Sequence, residues 1–238
     1  MNAPARSASS AASGVRRAEI FAALSLATDL AMGQPVEFAL RACVLALRLA
    51  DALGFAGEEL SAIYYQALLR YIGCNAESYT LSALFGDELR LRRDFAVVDS
   101  GHAPEVLRLV FQHLKRANAE APPLQMAWAV AKGLIAGQSV AAANFAGHCE
   151  VAQRLAERLG FGSAVIRALG QLYERWDGRG LPQGLKGEAI APAVRVVTLA
   201  QDVMAMRDAK GPDAAVAMVR QRDDRASLVV LGRQPQGV

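Results

Sequence analysis

Apolar residues recur at helical spacing along most of the chain. Residues 16 to 32 place Ile20, Phe21, Leu24, Ala27 and Ala31 on one side, with Thr28 at the edge and Gly33 as a stop. A second helix is predicted between Pro35, suited to a first turn, and Gly54, suited to a C-terminal cap. Its polar residues fall mainly on Glu37, Arg41, Arg48 and Asp51, a narrow strip that predicts a buried, central helix. Residues 57 to 72 form a third helix with Leu60, Tyr64, Leu68 and Tyr71 on one face, ended by Gly73. A short helix near 77 to 85 and the mixed-charge stretch GDELRLRRD follow. Ser100 could cap a helix from about Pro104 to Lys115. After the break at Pro122 and Pro123, residues 124 to 136 and 144 to 159 read as two helices. Val165, Ile166, Leu169, Leu172, Tyr173 and Trp176 share one face of a helix that Ser163 could cap. Val194 to Met206 reads as an apolar helix, and Gly211 and Pro212 open a last one ending near Arg222. The only β-like run is SLVVLG at 227 to 232. The pattern predicts an all-α protein: a disordered tail at 1–15, a single helical domain at 16–222 and an irregular tail at 223–238.

Composition sharpens this picture at three points. Alanine is abundant and aromatic residues are few, which favours closely packed helices over a β-sandwich. A net charge of +3 with no long basic run carries no nucleic-acid signal, and no helix-turn-helix is readable after residue 210. Cys43, Cys74 and Cys149 are far apart and lack metal-ligand spacing, which fits reduced thiols in the cytoplasm. Residues 1 to 14 lack the apolar core of a signal peptide, and no apolar run is long enough to span a membrane. RLADALGF at 48–55 echoes RLAERLGF at 154–161, most simply as two amphipathic helices with glycine caps.

One stretch falls outside the helical pattern. LYERWDGRGLPQGLKGEAI, residues 172 to 190, holds four glycines and a proline between two core helices. Such a loop holds a definite shape. It resembles the signature of the HD-GYP family, a branch of the HD metal-dependent phosphohydrolases. Glu174, Asp177, Gly178, Gly180, Pro182, Gly184, Leu185, Gly187 and Ile190 match in register. The signature's paired histidines fall on Leu172 and Tyr173, and its tyrosine on Leu181. The resemblance extends from Phe38 to Met206. The family's His-Asp pair falls on Arg70 and Tyr71, within Leu68-Leu69-Arg70-Tyr71-Ile72-Gly73-Cys74. An earlier family histidine falls on Phe38, with Arg41, Leu53 and Gly54 in register, and a central one matches His148. The last ligand falls on Gln201, with Ala200, Ala205 and Met206 matching around it.

The resemblance implies an HD-domain-like helical bundle with a glycine-rich GYP-type loop, and an ancestry in cyclic di-GMP hydrolysis. The residue chemistry points the other way. Phenylalanine and leucine have no lone pair to offer, arginine repels a cation, tyrosine at neutral pH is a poor ligand and glutamine a weak one. One imidazole, His148, does not make a catalytic metal site. The expected function is therefore a catalytically inactive regulatory or interaction module in cytoplasmic signalling, with no metal and no other cofactor. Its partner would be another signalling protein, with a nucleotide or a second copy of the chain as further options. Two alternatives stay open: a phosphodiesterase using other ligands, for which Asp87, Glu88, Asp94 and Asp99 are the local supply, and a non-hydrolysing nucleotide sensor. His148, placed near a helix start, is expected to be capped or partly buried, and Trp176 to lie in the core. Asp177 would accept loop amides and Glu174 would pair with an arginine. Arg70, a fixed charge where the family holds a metal, would pair with Glu174 or Asp177, or bind an anion.

Overall fold

The computed structural model describes residues 15–74, 78–98 and 102–222. The disordered and irregular tails, the β-like run at 227 to 232, Asp99 and the Ser100 cap lie outside the described residues.

Among the described residues ten α-helices follow one another: α1 (Arg17–Ala31), α2 (Phe38–Ala52), α3 (Gly57–Leu69), α4 (Ser78–Phe85), α5 (Glu88–Phe95), α6 (Ala103–Ala117), α7 (Pro123–Arg158), α8 (Ser163–Leu169), α9 (Pro192–Lys210) and α10 (Pro212–Arg222). No strand occurs among the described residues; the one β feature is an isolated bridge between Tyr173 and Leu181. The all-α expectation holds.

α3 lies against α1, α2, α8 and α9 and is the hub of the bundle. α2 was expected to be the central helix, but it buries one stripe and leaves Val44 about half exposed. That stripe contains Ala39, Ala42, Ala46 and Ala50, each at most 1% exposed. Four buried methyl side chains let neighbouring backbones approach closely, which is how an alanine-rich chain builds a dense core. Leu68, Leu69, Val165, Leu169, Leu172, Val194 and Val197 complete it.

Several boundaries move, each for a local reason. α2 starts at Phe38, because Glu37 takes a left-handed conformation (φ 67°), and the buried carboxylate of Asp29 in α1 accepts the Ala39 amide. The mixed-charge stretch becomes α5, started by Asp87, whose side chain accepts the Arg90 amide. The two helices expected at 124 to 136 and 144 to 159 are one helix, α7, 36 residues long. Gly133 and Gly137 do not interrupt it, since a glycine costs only about 1 kcal/mol against alanine inside a helix. His148 is therefore deep within α7, not near a helix start. Ser163 is the first residue of α8, which Gly162 precedes with no side-chain cap. α8 stops at Leu169, so Leu172, Tyr173 and Trp176 lie beyond it in turns rather than on its face. The sequence echo is a shared helix ending: Gly54 and Gly160 take positive φ, and the amides of Phe55 and Phe161 reach back to Ala50 and Ala156.

Candidate functional site

The glycine-rich loop runs from the end of α8 to α9 and is tied together from inside. Glu174 is 3% exposed, and its two carboxylate oxygens accept the amides of Gln183 and Leu185, each at 2.7 Å. It does not pair with an arginine as expected. Two backbone amides suit a buried carboxylate at least as well as one guanidinium would. Gln171 accepts the Ala191 amide at 2.7 Å. The Leu181 and Gly187 amides donate to the carbonyls of Tyr173 and Trp176. Asp177, at the exposed tip, accepts the Arg179 amide as expected and also pairs with Arg175. Gly178, Gly184 and Gly187 take positive φ, and the Leu181–Pro182 peptide is cis. Gly180 is required for another reason: a Cβ there would lie 2.2 Å from the Arg175 nitrogen. Trp176 is half-buried rather than core, with Arg195 stacked over its ring at 5.6 Å.

The ligand positions of the resemblance fall in two packed groups, Leu172 and Tyr173 in the main core and Phe38 and Tyr71 in a second cluster. Leu172 is fully buried. Phe38 is 1% exposed, its ring 6.5 Å from that of Tyr71, and Met204 packs with the pair. The Tyr173 hydroxyl lies 3.1 Å from Cys74 Sγ and 3.4 Å from His148 Nδ1. Arg70, at the end of α3, stacks over the Tyr173 ring at 5.4 Å. Gln201 is buried on α9, which packs against α3. The turn that follows α3 comes close to α7 at Gly73, where a Cβ would come within 2.5 Å of the His148 carbonyl oxygen.

Burial dominates the electrostatics here. It pushes the phenols of Tyr71 and Tyr173 well above their ordinary range and the Cys149 thiol up to about 11. His148 is pushed down to about 4, first by burial and then by the positive charge of Arg92. Arg92 was not singled out in the sequence. It is 9% exposed and donates to the Cys74 carbonyl at 2.9 Å and to Met32 Sδ. Nothing in its local sequence marks it, because α5 reads as a solvated charged stretch.

These residues do not fit a catalytic metal. His148 is a neutral imidazole among phenols, thiols and amides, with Arg70 and Arg92 supplying positive charge nearby. No group of three or more His, Cys, Asp or Glu side chains suited to a metal occurs among the described residues. The alternative carboxylates are engaged elsewhere: Asp87 caps α5, Glu88 accepts from Ser82, and Asp94 meets buried His113 at 3.0 Å. Nor is any helix among the described residues long and apolar enough to cross a membrane.

Comparison with known proteins bears on the reading directly. Residues 138–225 match the HD domain family. The chain is 27% identical over 184 residues to the 3′3′-cGAMP-specific phosphodiesterase 3 of Vibrio cholerae serotype O1, covering 77% of this chain and 39% of that protein. A crystal structure of a cyclic GMP-AMP specific phosphodiesterase of V. cholerae (V-cGAP3) superposes with a TM-score of 0.62 at 24% identity, covering 92% of this chain and 49% of that one. The chain thus spans less than half the length of either. These findings overturn the expectation of a catalytically inactive regulatory module and non-enzyme: the sequence relative and the structural neighbour are both phosphodiesterases. Residues 138–225 thus resemble the HD domain family, and the chain as a whole is similar in sequence and fold to these V. cholerae phosphodiesterases.

Proposed function

We propose that this chain is the HD unit of a cytoplasmic cyclic-dinucleotide phosphodiesterase in which other residues fill most of the metal-ligand positions that the resemblance implies. The observation that carries the reading is the similarity to a named 3′3′-cGAMP phosphodiesterase along 184 residues. The loop supports it: Glu174, Asp177 and the glycines that shape the signature are kept, and Glu174 holds that shape. Substrate and activity belong to the proposal, since the chain matches 39% of that relative. The helices from α1 to α10 are taken as one unit.

The test is direct turnover. The purified protein is incubated with 3′3′-cGAMP and, separately, with cyclic di-GMP, across a series of divalent metals and with chelator, and linear products are followed by chromatography. Turnover that scales with protein concentration and is lost in His148→Ala supports the reading, and the preferred substrate sharpens it. Absence of product from both dinucleotides under every metal condition sinks it.

A further inference from the structure

We propose that Arg70 anchors an anion site at the centre of the bundle, where it takes a phosphate group. The choice of a cyclic dinucleotide as the phosphate's carrier rests on the phosphodiesterase reading; the site itself rests on the geometry. Arg70 does not pair with Glu174 or Asp177, because the first is held by two loop amides and the second by Arg175 and the Arg179 amide. Its guanidinium instead sits over the Tyr173 ring, and Nη1 is buried with no hydrogen-bond partner among the described residues. Gln66, one turn earlier on the same face of α3, is fully buried with neither amide atom partnered. Gln201, on the adjoining α9, is 5% exposed and its Nε2 is likewise unpartnered. Arg92 adds a second positive charge, with its Nε buried and unpartnered.

Buried donors left unmet are costly, and those of Arg70 and Gln66 at the end of α3 lie on a helix that packs against α9, which carries Gln201. A guanidinium fork and amide N–H groups match phosphate oxygens in both charge and geometry. The same two arginines that oppose a metal ion favour an anion. Arg70 is only half-buried, so part of its side chain faces solvent.

Binding is measured by titration calorimetry on the purified chain in excess EDTA, with 3′3′-cGAMP, cyclic di-GMP and inorganic phosphate as separate probes. A cyclic dinucleotide should bind, Arg70→Gln should weaken it at least about tenfold, and Arg70→Lys should retain part of the affinity. If inorganic phosphate binds as tightly and with the same dependence on Arg70, the anion site stands with free phosphate as its ligand. Absence of binding by every probe overturns the site, as does wild-type affinity in Arg70→Gln. Should Arg70→Gln fail to fold, Gln66→Leu decides: a several-fold loss supports the site and unchanged affinity overturns it. The chelator separates this test from catalysis. Arg70-dependent binding without turnover keeps the site and sinks hydrolysis; turnover with Arg70-independent binding does the reverse.

Discussion

The glycine-rich loop and the centre beneath it are neighbours built on opposite terms. In the loop, the signature residues are present and their polar groups are met: Glu174 by two amides, Gln171 by one, Asp177 by Arg175 and a backbone amide. In the centre, His148 alone of the ligand residues is kept, Leu172, Phe38 and Met204 are buried, and Gln66, Arg70 and Gln201 hold unpartnered donors. The contrast shows that the loop is tied from within. A buried carboxylate inside the loop organises it, so the signature's frame and its chemistry are physically separable.

The hardest way to break this contrast is from the loop side. Gly180→Ala would press a methyl group into the Arg175 nitrogen and Glu174 Cα, both backbone atoms. Neither can give way without opening the loop, so unfolding free energy should fall by about 4 kcal/mol or more, read from denaturant melts. Glu174→Ala removes the acceptor for two buried amides and should cost about 3 kcal/mol, with Glu174→Gln losing less because one carbonyl acceptor remains. Costs well under about 1 kcal/mol on the same scale would mean that the loop is not held from within.

On the centre side, Leu172→Ala opens a cavity at a fully buried position and should cost about 2–5 kcal/mol. Gln66→Leu should move stability the other way. Replacing an unpartnered buried amide with an apolar side chain of similar size should gain about 1 kcal/mol while weakening anion binding, a trade of stability against function. If Gln66→Leu destabilises instead, the amide has a partner and the contrast between the two regions narrows.

The smallest effect is in pH dependence, where two buried groups pull in opposite directions. His148 sits near 4 against an ordinary 6.5. Its stabilising contribution is present above 6.5 and is lost as pH falls toward 4, because the unfolded chain takes up a proton that the folded chain refuses. Asp29 sits near 6 against 3.8, first because of burial. Its contribution is present below 3.8 and is lost as pH rises through 6, since the folded chain keeps a proton that the unfolded chain has released. Urea midpoints between pH 4 and 7 should therefore fall more steeply on acidification in Asp29→Asn than in the wild type. In His148→Gln they should decline as pH rises through that window.

Periodicity and glycine punctuation were enough to read most helices, because amphipathic stripes and caps are local properties of the chain. The loop was legible because glycines and a proline record backbone conformations that side chains would forbid, as at Gly178. The ligand positions could be located by register, and the structure does bring Phe38 to Tyr71, and Arg70 and His148 to Tyr173. What the sequence could not determine was partnership. Glu174 had an arginine and loop amides as rival partners, and only the fold of the loop chose the amides. Whether α7 would break at its glycines turned on about 1 kcal/mol per glycine, too small a cost for the local sequence to decide. Asp29 and Arg92 gave no local sign, since one caps a different helix and the other reaches into the centre from a stretch that looks solvated. Periodicity decides which face a residue occupies, but hydrogen-bond partners and the field at a buried group are set by residues distant in sequence, and those meet only in the tertiary structure.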